Sequence, residues 1–234
     1  MTSTGSGEQF DLRTADFDAA YRGEPLMEGV HFPRVPWDIG QAQPPVVELE
    51  RQGRIVGDVL DVGCGLGYNA LFLANRGYRV TGIDAAPTAI KRARDRAGLG
   101  VDVEFAVADA TSLRGYEGRF DTVLDSALYH CLDQEQRRRY AAALYRATRP
   151  GALLYLFCFP DTTPGGPPAP LRVSEHNLRT TLNGAGWTIT DLRQTIYLVD
   201  AAVVGDQLAD QYYDRTEDNT RIQIPMWALQ AHRA

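Results

Sequence analysis

The chain has 234 residues, 44% of them apolar, enough to bury one sizeable core, so its size suits a single α/β domain with insertions. A formal net charge of −6, with no basic and aromatic strip, argues against a nucleic-acid partner. Cys64, Cys131 and Cys158 are widely spaced and odd in number, which suits a reducing cytoplasm and gives neither a metal-ligand set nor a disulfide framework.

In chain order, residues 1–9 are small and polar and are expected to lack order. A helix is expected near 42–53. The run Val59-Leu60-Asp61-Val62-Gly63-Cys64-Gly65-Leu66-Gly67-Tyr68-Asn69 then reads as a buried strand, a glycine-rich turn and the start of a helix over 68–76. Tyr78 to Asp84 is a short strand ending in an acid, and a helix follows over 87–97. Val103 to Val107 is a third strand running into Ala108-Asp109-Ala110. A fourth ends at Asp125, Ser126 and Ala127. A helix is expected over 134–148, with Arg137, Arg138 and Arg139 forming a solvated basic face. Strand five is expected over 152–159, too short an apolar run to cross a bilayer. The N-terminus has no charged-then-apolar leader. Residues 160–170 hold five prolines and two glycines and read as a loop that could close over a ligand. Ser174 is placed to cap a helix. Two further strands are expected over 187–190 and 194–199, and a last one over 222–231, with Pro225 at a bulge or an edge. The alternation of strands and helices from 58 to 159 argues for a parallel sheet covered on both faces.

The glycine-rich turn carries the chemistry. Glycine lets a ligand approach the backbone closely. A dinucleotide site uses G-x-G-x-x-G, whereas the spacing here is G-x-G-x-G with Tyr68 at the third dinucleotide glycine position. Asp61, two residues before the first glycine, would repel a diphosphate and suits a cationic amino-acid end. S-adenosylmethionine (SAM) has that end and no phosphate. Asp84 lies about 20 residues further on, where a carboxylate can accept from both ribose hydroxyls; capping the helix that follows is its plainer use. Asp109 is placed to accept from an adenine amine, with the backbone N–H of Ala110 reaching a ring nitrogen.

Taken together, VLDVGCGLGYNALFLANRGYRVTGID, FAVADATSL and FDTVLDSALYH resemble the class I SAM-dependent methyltransferases over residues 40–160. The resemblance implies a Rossmann-like fold: a mostly parallel seven-stranded sheet with an antiparallel last strand and helices on both faces. It implies a donor site of Asp61, Gly63, Cys64, Gly65, Asn69, Asp84, Ala85, Asp109 and Ala110, with S-adenosylhomocysteine (SAH) as product. Asp125 joins them as a group that orients backbone beside the sulfonium. Val35-Pro36-Trp37-Asp38-Ile39-Gly40 resembles the entry segment of the thiopurine, thiol and halide methyltransferases. That match carries Trp37 and Gly40 to the cofactor and makes 1–40 an arm or lid on a domain at 41–234. With YRGEPLMEGVHFPRVPWDIG and SALYHCL, the pattern is most similar to the heterocyclic toxin methyltransferases, which implies detoxification of hydroxyquinolones or alkylquinolones by O- or N-methylation.

Methyl transfer is an in-line displacement in which orientation alone can supply several kcal/mol. A base is needed only where the acceptor must lose a proton. His130, after strand four, is the candidate base, because an imidazole near pH 7 matches that work; His31, His176 and His232 lack such a placement. Tyr21, Phe32, Tyr129, Phe159, Tyr212 and Trp227 are candidate acceptor contacts, and each could equally be core. The segment Asp210 to Arg215 is a polar, aromatic excursion toward the same pocket. The expected partner is a small aromatic heterocycle, with no membrane, no nucleic acid and no metal, and the expected state is a monomer or weak dimer. Thiol or halide methylation is the alternative activity, and a SAM-binding regulator without turnover the non-enzymatic one.

Overall fold

The computed structural model describes residues 14–98, 100–163, 171–204 and 213–234. Seven strands form one sheet in the order β3-β2-β1-β4-β5-β8-β6, and a two-residue strand, β7 (Asp214–Arg215), adds to β8. The parallel part comprises β1 (Asp58–Val62), β2 (Arg79–Asp84), β3 (Val103–Val107), β4 (Phe120–Ser126) and β5 (Thr148–Cys158). β8 (Arg221–Arg233) runs antiparallel between β5 and β6 (Trp187–Asp200). The expected seven-stranded, mostly parallel sheet with an antiparallel last strand is therefore present, with β7 as an unforeseen addition.

Both faces are covered, which is why the inner strands read as continuous apolar runs. On one face α2 (Pro44–Arg51), α3 (Tyr68–Ala74) and α4 (Pro87–Arg96) bury Val46, Leu73 and Ile90 against Val59 and Val80. On the other, α5 (Gln134–Ala147) and α6 (Glu175–Gly184) bury Tyr140, Leu144, Leu178 and Leu182 against Leu60, Val62 and Leu154. α5 opens with a capping box in which Asp133 and Gln136 satisfy each other's backbone N–H. Ser174 caps α6 by accepting from the Asn177 N–H at 3.1 Å.

Two expectations are corrected here. The strands expected over 187–190 and 194–199 are one strand, β6, because a bulge between Ile189 and Asp191 absorbs the polar interruption without ending the ladder. A short helix, α1 (Phe17–Arg22), stands in the N-terminal arm where no helix was expected. Pro225 pairs with Ile196 in the stretch of β8 between its last β5 partner, at Trp227, and its first β7 partner, at Gln223, so only β6 flanks it there. The expected disorder of 1–9 and the loop 164–170 lie outside the described residues. No described helix is long and apolar enough to cross a membrane.

Strand order reverses between β1 and β4, with β2 and β3 on one side and β5, β8 and β6 on the other. In open α/β sheets that switch opens a crevice at the carboxyl ends of the strands. The glycine turn after β1, the acid ending β2 and the turn after β4 all meet there.

Candidate active site

Asp61, the penultimate residue of β1, is fully excluded from solvent, and neither carboxylate oxygen has a hydrogen-bond partner. Burial, opposed by the dipole of the Ala70 N–H and reinforced by the charges of Asp125 and Asp84, pushes its carboxyl up to about 7. A buried acid left unpaired is costly unless a ligand supplies its donors. The turn beside it is packed closely enough that only glycine fits at two positions. Gly63 (φ +71°) and Gly65 (φ +52°) adopt left-handed backbone, and an added Cβ would lie 2.9 Å from the Leu128 Cβ and 2.7 Å from the Tyr21 hydroxyl, respectively.

Asp84 accepts from the N–H groups of Gly65 and Ala86, both at 2.9 Å, so it braces the turn and the start of α4 at once. Its pKa is raised by burial. Ala85, next to it, is exposed. Asp109, at the end of β3, is exposed and accepts from the Thr111 N–H and hydroxyl, each at 2.8 Å; Ala110 beside it is half-buried. Asp125 is buried, accepting from the Leu128 N–H at 2.8 Å, the Tyr129 N–H at 3.1 Å and the Tyr140 hydroxyl at 2.7 Å. It thereby folds the chain into the 3-10 turn Tyr129–Cys131 that carries His130. Burial holds Asp125 near 7 against the pull of those donors. Just past it, Ala127 sits at φ +81°, a strained conformation for a residue with a Cβ. No sequence signal marks that position.

The arm closes over the turn. Tyr21 is buried, its hydroxyl accepting from the Trp37 Nε1–H at 3.0 Å, and the Trp37 ring lies 6.2 Å from both Tyr21, edge-to-face, and Phe17, tilted. Asp18 accepts from the Thr88 N–H at 2.7 Å and so caps α4, whose own N-cap residue, Ala86, has no side-chain oxygen. The arm's far end is tied to the end of β6: the Asp200 N–H donates to the Pro36 carbonyl at 2.9 Å, and Arg34 pairs with the Asp200 carboxylate at 2.5 Å. Gly40 (φ +74°) donates its N–H to Asp38 in the bend before α2.

Several expected contacts are corrected. Tyr129 is wholly buried, donating to Asn177 and packed 6.2 Å from Tyr140, so it belongs to the core rather than to an acceptor pocket. Tyr21 lies over Gly65 of the glycine turn. The Asn69 amide is spent on the Gln43 N–H, at 3.0 Å, and on the Ser126 hydroxyl, at 2.9 Å, which in turn meets the Tyr197 hydroxyl; it ties α2, α3, β4 and β6 together. The Cys64 thiol is buried toward Gly82, and its backbone is used by Ile83 and Gly67. Phe32 packs against the apolar cluster that joins the arm to Leu66, Ala86 and Ala89. The reading of Arg137 to Arg139 as one solvated face also fails: Arg138 and Arg139 are exposed, but Arg137 is buried on the stripe shared with Tyr140, Ala141 and Leu144. The i, i+3, i+4, i+7 spacing was the signal that could have found it.

His130 is buried, its ring 4.3 Å from that of Phe159, and its Nδ1 has no partner. Burial and the neighbouring Arg137 charge lower its pKa to about 3. The expected match to pH 7 is thus not met: this imidazole is neutral and weakly basic. Phe159 also packs with Tyr213 toward Val199 and Ile224. Trp227, half-buried beside Cys158, donates its indole N–H to the Val173 carbonyl at 2.9 Å. Tyr212 lies outside the described residues.

Sheet order, switch-point crevice and a glycine turn guarded by an unpaired carboxylate define a Rossmann-like class whose ligand is met by an acid rather than by a phosphate cradle. Residues 59–151 match the family model described as a methyltransferase domain. The chain is 39% identical over 222 residues, 93% of this chain and 96% of the relative, to the 2-heptyl-1-hydroxyquinolin-4(1H)-one methyltransferase of Mycobacteroides abscessus. It is 37% identical, with a TM-score of 0.76 over 93% of this chain and 90% of the other, to a structure solved in work on converting a disulfide bond into a thioacetal group during echinomycin biosynthesis. The Burkholderia thailandensis 1,6-didemethyltoxoflavin-N1-methyltransferase, solved with bound SAH, shares the fold at 22% identity, with a TM-score of 0.57 over 82% of this chain and 77% of that one. The chain belongs to the class I SAM-dependent methyltransferases.

Proposed function

We propose that this methyltransferase moves a methyl group from SAM to a ring hydroxyl, N-hydroxyl or nitrogen of a planar N-heteroaromatic of the hydroxyquinolone or alkylquinolone kind, and that the product is the less toxic form. The observation that carries the acceptor class is the hydroxyquinolone methyltransferase aligned over nearly the whole of both chains. Support for the donor is physical: a buried, unpaired carboxylate beside two glycines fits an ammonium-bearing ligand without phosphate.

In this reading the ammonium end meets Asp61, the ribose meets Asp84, and the adenine lies toward Asp109 and Ala110. When bound, SAM supplies a methyl group on a sulfonium that is already a good leaving group. Asp125 and Ala127 set the turn that presents His130. With no protein partner of its own, the His130 Nδ1 can donate to an acceptor oxygen or accept from an acceptor X–H. The arm, residues 1–40, is the lid. Its Tyr21, held by Trp37, lies over Gly65 of the turn, so a ligand that approaches the turn displaces them. A cytoplasmic monomer or weak dimer completes the reading; the three free thiols support the reducing compartment.

Incubating the purified protein with labelled SAM and a panel of 2-heptyl-1-hydroxyquinolin-4(1H)-one, alkylquinolones, dithiols and iodide, then locating the label by mass spectrometry and NMR, tests this directly. Label on the hydroxyquinolone is the expected result; label on thiols or iodide alone would overturn the acceptor assignment. A sulfur acceptor is the second reading, favoured by the solved relative studied for disulfide-to-thioacetal chemistry.

A further inference from the structure

Arg137 is the one feature of this site that methyl transfer to a neutral acceptor leaves without a use. Its side chain is buried at 7% exposure, on the face of α5 turned to the sheet. The Nε–H donates to the Tyr129 carbonyl at 3.2 Å and an Nη–H to the His130 carbonyl at 3.5 Å, and the guanidinium lies 5.2 Å from the centre of the Tyr129 ring. Among the described residues it forms no ion pair; its hydrogen bonds go to carbonyls alone. The groups facing it are Asp133 from the head of its own helix, Tyr129, His130 and Cys131 from the 3-10 turn, and Cys158 from β5. Asp133 is committed to capping α5. Burial keeps Tyr129, Cys131 and Cys158 protonated and His130 unprotonated. Among the described residues, then, Asp133 at the helix head is the one carboxylate facing this cation, and it forms no ion pair with it. Buried charges are ordinarily paired, because an uncompensated one is expensive to desolvate.

The charges are also sorted across the crevice. Asp61, Asp84 and Asp125 stand at the ends of β1, β2 and β4, and Arg137, without an ion pair among the described residues, holds the carbonyls of the turn after β4 that carries His130. We propose that Arg137 sets the charge of the acceptor: a weakly acidic heteroaromatic hydroxyl binds as its oxyanion, held ionised by this guanidinium. The proposal deepens the methyltransferase reading above and rests on it. The proton leaves the acceptor for solvent as it binds. The oxyanion's electron pair then forms the O–C bond, the C–S bond breaks with its pair left on sulfur, and oxyanion and sulfonium become neutral together. No base is required, which fits a His130 too weakly basic to be one. Arg137 acts through its field and through the two carbonyls it grips, so it is a positioning residue.

The test is a proton count and a pH profile on the SAH- or SAM-bound enzyme with 2-heptyl-1-hydroxyquinolin-4(1H)-one. Calorimetry in two buffers of different ionisation enthalpy, about one pH unit below the acceptor's own pKa, should show release of close to one proton on binding. The pH profile of kcat, which reports the bound state, should stay flat to at least about one unit below that pKa. Arg137→Gln should move the inflection back up by about one unit or more, Arg137→Lys by less, and His130→Asn should leave it in place. SAH affinity of each variant serves as the check that the donor half is folded. Should Arg137→Gln fail to fold, the wild-type proton count decides. Turnover without proton release, or an inflection unmoved in Arg137→Gln, overturns this inference and leaves the acceptor assignment standing; no turnover on any acceptor overturns both.

Discussion

The residue with most at stake is Asp61. Its carboxyl is raised by burial to about 7 in the ligand-free fold, against an ordinary value near 4 in the unfolded chain. The folded state therefore holds a proton that the unfolded state has lost between those two values. Stability from this group is complete below about pH 4 and drains away as pH rises toward 7. Ligand-free protein should lose stability over that window, and Asp61→Asn should flatten the slope in urea melts taken from pH 4.5 to 8; an unchanged slope would remove the unpaired carboxylate from the account. Donor binding needs the ionised form, so SAM affinity should climb with pH below about 7, by at most about tenfold per unit. Asp61→Asn should weaken SAM and SAH by roughly 30-fold or more in calorimetry, the loss expected of a charge-assisted contact in a buried site. His130→Ala removes a hydrogen-bonding atom at the acceptor and should lower kcat/KM for the hydroxyquinolone by about 10- to 100-fold, with SAH affinity held.

At the scale of elements, the arm and the helix it caps form one mechanical unit. α4 begins with Ala86 and Pro87 and takes its cap from Asp18, some seventy residues earlier in the chain. Asp18→Ala should cost about 1 kcal/mol and should speed proteolytic cleavage between Phe17 and Gly40; SAH should restore protection in the parent and less so in the variant. Gly65→Ala places a Cβ against the Tyr21 hydroxyl and should loosen the same unit with little effect on the sheet. These couplings also mark how far the sequence could be read. β1, its turn, β2 and α4 were legible because each carries its own local signal: a buried run, glycines, a terminal acid, a leading proline. α1 was not, since six residues without an uninterrupted apolar stripe have no periodicity to detect, and the packing of Tyr21 against Trp37 decides their conformation. Tyr129 could not be told from a pocket residue, because an aromatic in a core and one at a site are the same letter. Arg137 was misread for the opposite reason, its charge outweighing a helical spacing that already placed it inside.

For the whole molecule, the proposed donor site draws on both the parallel half of the sheet and the arm, so saturation with the donor should be felt globally. SAH at about a hundred times its Kd should add about 2.7 kcal/mol to the unfolding free energy, read as a single shifted transition in calorimetry; Asp61→Asn should lose most of that gain at the same concentration. The overall topology was legible because strands alternate with helices from 58 to 159. The C-terminal third was harder, since β6 and β8 pair along almost their whole length and their identity lies in each other rather than in local pattern.

That pairing has a consequence for how new activities could be drawn from this scaffold. The proposed donor contacts arise from β1, β2 and β3, whereas Trp227 and the partners of Phe159 arise from the pair β6 and β8, which also moors the arm through Asp200 and Arg221. Transplanting residues 187–233 between family members should exchange the molecule that receives the methyl group while the supplier of that group stays the same. The graft would succeed only where the incoming pair keeps an acid for Arg34 to grasp.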